Sequence, residues 1–157
     1  MSGRSTEVSK IIHASREAVY RAFLDADAVA EWLPPDTMKG TVLDFEPRPG
    51  GKFRIALTYQ NAEDAQRGKS SDDTDIAQGT FAEMVPNEKL VWVTTFDSPD
   101  PAFAGEMSIT WRFEDEDGRT RVTSLCENIP SGVRLEDNEL GSQQSLNHLA
   151  KYVEHAP

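Results

Sequence analysis

Three histidines, one cysteine and a surplus of carboxylates are the residues of this chain most able to do chemistry. Histidine is the natural acid and base near neutral pH. His148 lies two residues from Leu146, about 200° around a helix, and His155 follows seven residues later on the same outward face, so both are expected to be solvated. His13 ends a strand-like run, where a structural hydrogen bond is the expected role. No Ser-His-Asp order and no Gly-x-Ser-x-Gly elbow accompanies any of them. Cys126 sits in a strand-like run without a neighbour that would stabilise a thiolate, which predicts an inert thiol. The acidic run Glu114-Asp115-Glu116-Asp117 reads as a solvated turn. Glu83 and Glu127 fall in strand-like runs; facing inward, either carboxyl would have the raised pKa that acid/base work needs. No residue is assigned as catalytic. Asp72-Asp73-Thr74-Asp75 lacks the glycine and terminal glutamate of a calcium loop, so no metal and no cofactor is expected.

The chain that would position these groups has 157 residues, which predicts one domain over 1–157 with a single core. Its 27 acidic residues against 16 basic ones give a formal charge of -11. Such a negative field repels phosphate backbones and anionic lipid, so neither nucleic acid nor membrane is an expected partner. Met1 to Lys10 is polar, without the apolar stretch of a signal peptide, and the chain is expected to be cytoplasmic.

Period separates the elements. Glu7 to His13, with Val8, Ile11 and Ile12, reads as a strand ending at Ser15, a helix-cap residue. Val19, Ala22, Phe23 and Ala26 then recur at helical spacing, and Asp27 offers a cap for a second short helix carrying Val29, Trp32 and Leu33, which Pro34 and Pro35 end. Thereafter the period is two. Phe53, Ile55, Leu57 and Tyr59 alternate with polar or small residues, as do Met107, Ile109, Trp111 and Phe113. Further strands are predicted near 37–45, 78–85, 88–96 and 119–127, with turns at Pro49-Gly50-Gly51, Pro86-Asn87 and Asp117-Gly118. The polar stretch Gln60 to Asp75 reads as a lid or an unordered loop. Helical spacing returns with Leu146, Leu149, Ala150 and Val153 behind the acidic start Glu136, Asp137 and Glu139. One turn toward the N-terminus, the same stripe lands on Ser142 and Gln143 beside Gly141. The order predicts an α+β helix-grip fold: a curved seven-stranded antiparallel sheet around a C-terminal helix over about 135–154, with two short helices between the first two strands.

The helix from Ser15 to Phe23, Glu31-Trp32-Leu33-Pro34, Arg48-Pro49-Gly50-Gly51-Lys52-Phe53-Arg54, Gly79-Thr80-Phe81 with Val85-Pro86, and the closing Gly141, Leu146 and Leu149 form a connected set. In them the chain resembles the heat-shock protein 90 ATPase-activator homologues, a branch of the START-like, polyketide-cyclase-like superfamily, from about Val8 to Val153. Many members of that family read Gly-Trp where this chain reads Gly141-Ser142. The resemblance is to the C-terminal domain of the eukaryotic co-chaperone, without its chaperone-binding N-terminal domain.

Trp92, Trp111, Tyr59, Phe53 and Met107 suit a packed core and a cavity wall equally. The resemblance, with polar Ser142 and Gln143 opposite an apolar sheet face, favours a cavity. Its expected lining is Trp32, Leu57, Tyr59, Trp92, Met107, Ile109, Trp111, Phe113, Ser142, Gln143 and Leu146, and its expected occupant a small apolar or amphipathic molecule. Two other functions fit the residues: a cyclase-, aromatase- or hydrolase-like enzyme using Glu83, Glu127 or Tyr59, and a chaperone cofactor acting through its surface. Unpaired sheet edges and Phe103 in the loop from Asp97 to Gly105 would suit a homodimer.

Overall fold

The computed structural model describes residues 4–60, 74–96 and 98–154. Seven strands form one curved sheet, every neighbouring pair antiparallel, in the order β1-β7-β6-β5-β4-β3-β2. They are β1 (Ser5–Ile12), β2 (Met38–Phe45), β3 (Lys52–Tyr59), β4 (Thr74–Val85), β5 (Lys89–Phe96), β6 (Met107–Glu116) and β7 (Arg119–Glu127). Two short helices, α1 (Arg16–Arg21) and α2 (Ala26–Trp32), lie between β1 and β2, and α3 (Leu135–Glu154) closes the fold. This is the helix grip expected from the order of periods.

Local chemistry explains the boundaries. Ser15 caps α1, its hydroxyl accepting from the Ala18 amide at 3.2 Å. The chain then tightens: the amides of Ala22, Phe23 and Leu24 each donate to the carbonyl three residues back, and α1 stops at Arg21. The cap of α2 is Asp25, accepting from the Asp27 amide at 3.0 Å, not Asp27 as expected. Ala26 therefore opens α2 instead of completing the face of α1. Asp117 and Gly118, with φ of 56° and 85°, both adopt the left-handed conformation that a two-residue turn between β6 and β7 demands. β4 begins at Thr74 and not near 78, so Asp75 is a strand residue opposite Leu57. The rest of the expected lid, residues 61–73, lies outside the described residues, as does His155.

Phe23 sits at the hub of the core. Its ring lies 4.5 Å from that of Trp32, 5.0 Å from Trp111 and 5.1 Å from Phe113. Leu146, Leu149 and Ala150 bring the C-terminal half of α3 onto this cluster. Trp111 lies on the concave sheet face and is 2% exposed, as its alternation with Met107 and Phe113 predicted.

The faces of Glu83 and Glu127, open from the sequence, are decided by strand geometry. From Phe81, which points into the core, simple alternation would carry Glu83 inward as well. A β-bulge between Phe81 and Glu83 inserts one extra residue and flips the strand, so Glu83 is exposed and pairs with Lys89 at 2.9 Å. Glu127 is exposed too, because Cys126 before it takes the inward position. Neither carboxylate reaches the concave side.

Candidate functional site

Between the concave face and α3 lies a cavity of about 420 Å³. Its floor comes from alternate residues of neighbouring strands: Phe53, Ile55, Leu57 and Tyr59 on β3, Trp92 and Thr94 on β5, Met107, Ile109 and Trp111 on β6, and Ser124 and Cys126 on β7. The period of two presents each of these side chains to one face.

Its roof is the N-terminal half of α3. Asn138, Gly141, Ser142 and Ser145 line it at spacings of three and four residues, hence on one helical face. Thr6 on β1 donates to Asn138 and Cys126 on β7 lies against Ser142, so the roof meets the sheet at that edge, while the small side chains of Gly141 and Ser145 leave the gap beside it open. One turn onward, Leu146 and Leu149 reach it and close the space. The same helix therefore packs at one end and spans a hollow at the other.

Seven of the expected lining residues are brought together here: Leu57, Tyr59, Trp92, Met107, Ile109, Trp111 and Ser142. Four are not. Trp32, Phe113 and Leu146 are sealed in the core, and Trp32 donates its indole N–H to the Ala22 carbonyl at 2.9 Å. Gln143 points off the roof toward Asn147, and Gln144 lines the cavity in its place, because the residue facing the sheet alongside Ser142 is set by helix rotation. The sequence reading missed Asp75, Ser124, Met38 and the loop ahead of β2; the alternation of Thr120, Val122, Ser124 and Cys126 was the available signal for Ser124.

That loop forms the rim. Leu33, Pro35, Thr37 and Met38 line the cavity edge and are strapped to α3. Ser145 donates to the Leu33 carbonyl, and the Asp36 amide donates to Gln144 Oε1 at 3.0 Å. His148 completes the strap, with Nδ1 2.9 Å from the Pro34 carbonyl and Nε2 2.6 Å from Asp36 Oδ1. Both partners are acceptors, so the two contacts coexist when both ring nitrogens carry hydrogen. His148 is thus half-buried and held, not solvated: the helix face away from the sheet is covered by this loop. His13 is exposed, and its backbone amide donates to Glu154 at 2.9 Å. Phe103, expected to be a surface residue, turns inward against Phe96 and lines the cavity.

The Cys126 thiol lies 4.0 Å from the Ser142 hydroxyl. Burial pushes its pKa up, outweighing the opposite pull of Ser142, Ser124, Thr6 and Asn138. The thiol is therefore a poor nucleophile at neutral pH. Ser124 is near enough to pull the thiol pKa down, though its Oγ has no partner at full hydrogen-bond geometry. Among the described residues no three His, Cys, Asp or Glu side chains converge as a metal site would require. No helix among them is long and apolar enough to cross a membrane.

The fold is shared. A protein from Chromobacterium violaceum is 30% identical, with a TM-score of 0.85 over 99% of this chain and 100% of its own. At lower identity the likeness is one of fold: an Arthrobacter aurescens protein at 16% aligns over 98% of this chain and 88% of its own with a TM-score of 0.79. An AHSA1-like protein from Aeromonas hydrophila, 19% identical, aligns over 96% and 92% with a TM-score of 0.72. No curated protein matches the chain. The model of the family described as "Activator of Hsp90 ATPase homolog 1-like protein" matches residues 13–154, nearly the full length of the grip, and the chain belongs to that family.

Proposed function

We propose that this protein binds a small, largely apolar or amphipathic molecule between its sheet and the N-terminal half of α3. The observation that carries the reading is the cavity of about 420 Å³, with an aromatic and aliphatic floor under a roof of Gly141, Ser142 and Ser145. Ligand sites are typically concave, mostly apolar and roughly 300–1,000 Å³, with few polar groups. A helix face that only needed to pack would carry larger side chains, because empty apolar space is destabilising. Binding requires no acid or base, and Glu83 and Glu127 lie on the opposite face of the sheet.

Native mass spectrometry of gently purified protein tests the proposal. Added mass that denaturation releases is the expected result. Protein that carries no added mass and takes up no apolar probe would defeat it. The family's description names the ATPase of heat-shock protein 90. Retention of that chaperone in a pull-down, by a protein with no ligand affinity, would move the function to the surface.

A further inference from the structure

We infer that the cavity selects a neutral molecule carrying a hydrogen-bond-accepting oxygen, which the indole N–H groups of Trp92 and Trp111 and the hydroxyl of Ser124 receive. This rests on the cavity reading above and adds the chemistry of the occupant.

Trp92, Trp111 and Ser124 belong to the cavity wall and are each 2% exposed. The Nε1 atoms of both indoles and the Oγ of Ser124 have no hydrogen-bond partner. Burying such groups surrenders their bonds to water, and folded proteins leave few of them unmatched. Three such groups meet at this wall, and the Tyr20 hydroxyl in the core is a further one. Trp111 and Ser124 are directly opposed on β6 and β7, and the Trp92 and Trp111 rings are 5.5 Å apart. Trp32 provides the contrast: away from the cavity, its N–H is satisfied by the Ala22 carbonyl. In the present conformation the three atoms are covered, so an occupant reaches them only when a side chain moves, as by a rotamer change at Ser124.

Indole N–H is a donor only, so the matching group is an acceptor. An ammonium brings no lone pair. An anion would meet two carboxylates, Asp75 and Asp137, against one cation, Arg134, on the cavity lining, in a protein of formal charge -11. A neutral carbonyl, hydroxyl or ether oxygen on an apolar body remains.

The test compares two probes of nearly equal shape, 2-acetylnaphthalene and 2-ethylnaphthalene, on the whole protein. Binding is followed through the three tryptophan side-chain N–H signals in nitrogen-15 NMR. The ketone should bind at least about tenfold more tightly than the hydrocarbon and shift the Trp92 or Trp111 signal downfield, with the Trp32 signal unmoved. Trp111→Phe, which keeps a ring without its N–H, and Ser124→Ala should each shrink the ratio of ketone to hydrocarbon affinity severalfold. Equal affinity for the two probes with no downfield shift would overturn the polar selection and leave the cavity reading standing. Failure of both probes to bind would overturn both. Should a Trp variant not fold, the probe pair on the unmodified protein and Ser124→Ala still decide the matter.

Discussion

The two halves of α3 meet the same sheet with opposite results. From Leu146 onward, Leu149 and Ala150 join Phe23, Trp32 and Phe113 in a sealed core. Before Leu146, the small side chains of Gly141, Ser142 and Ser145 line a cavity, and the helix meets the sheet at its edge through Asn138 and Ser142. A single regular helix thus serves as both wedge and roof, through side-chain size alone.

Phe23→Ala should separate the halves most sharply. It removes the ring touching Trp32, Trp111 and Phe113, and about 3–5 kcal/mol of stability should be lost in urea denaturation. A loss under about 1 kcal/mol would place the core elsewhere.

A matched pair sharpens the contrast further. Leu149 is 0% exposed within the packed half, so Leu149→Ala should cost about 2–5 kcal/mol. Met107 is also buried, at 6% exposure, but part of its surface faces the cavity, and Met107→Ala should cost clearly less, below about 2 kcal/mol. Equal losses would mean that the hollow end is as tightly packed as the other.

A smaller effect is expected from pH. Cys126 has a pKa raised above the ordinary thiol value of 9.0 by burial at the hollow end. The unfolded chain then loses this proton first, so stability is full below about pH 9 and declines as pH rises through the folded-state value. Tyr20, raised above 10.0 by burial, adds a loss of the same sign at higher pH. Urea midpoints from pH 7 to 10 should show a decline that Cys126→Ala flattens at its onset; an unchanged profile would remove the thiol from the account.

Ser142→Trp should change stability least, by no more than about 1 kcal/mol, because the indole enters existing space. It should nevertheless weaken uptake of an apolar probe in a fluorescence titration. Equal uptake would show that Ser142 merely sits at the rim of a space used elsewhere.

Much of this contrast is legible in the chain. The strand-like run before Ser15, the change from period 3.6 to period 2 after Pro35 and the return of helical spacing through Leu146, Leu149 and Val153 give seven strands and the closing helix. The alternation through Met107, Ile109 and Trp111 gives the face of β6. Two expectations fail and one open face is decided, each for a structural reason. Asp25 captures the cap of α2 because α1 tightens and ends early. Glu83 leaves the concave face because one inserted residue reverses the alternation, and His148 is held because a loop distant in sequence folds over it. Each depends on where the backbone goes, which side-chain type does not report.

Within the site, small residues at Gly141 and Ser142 on a stripe otherwise built of leucines marked where the grip would open. Which large residues became wall and which became core was not marked, since Trp32, Trp92 and Trp111 have the same chemistry. By itself the sequence determined the element types, the antiparallel grip and the inward face of most strands, because hydrophobic period and turn residues act over a few neighbouring positions. Only the tertiary structure decided the bulge that exposes Glu83, the strap from His148 to Asp36, and the separation of Trp32, satisfied by Ala22, from the unpartnered indoles of Trp92 and Trp111. These depend on distances between segments far apart along the chain, set when the sheet curls around α3.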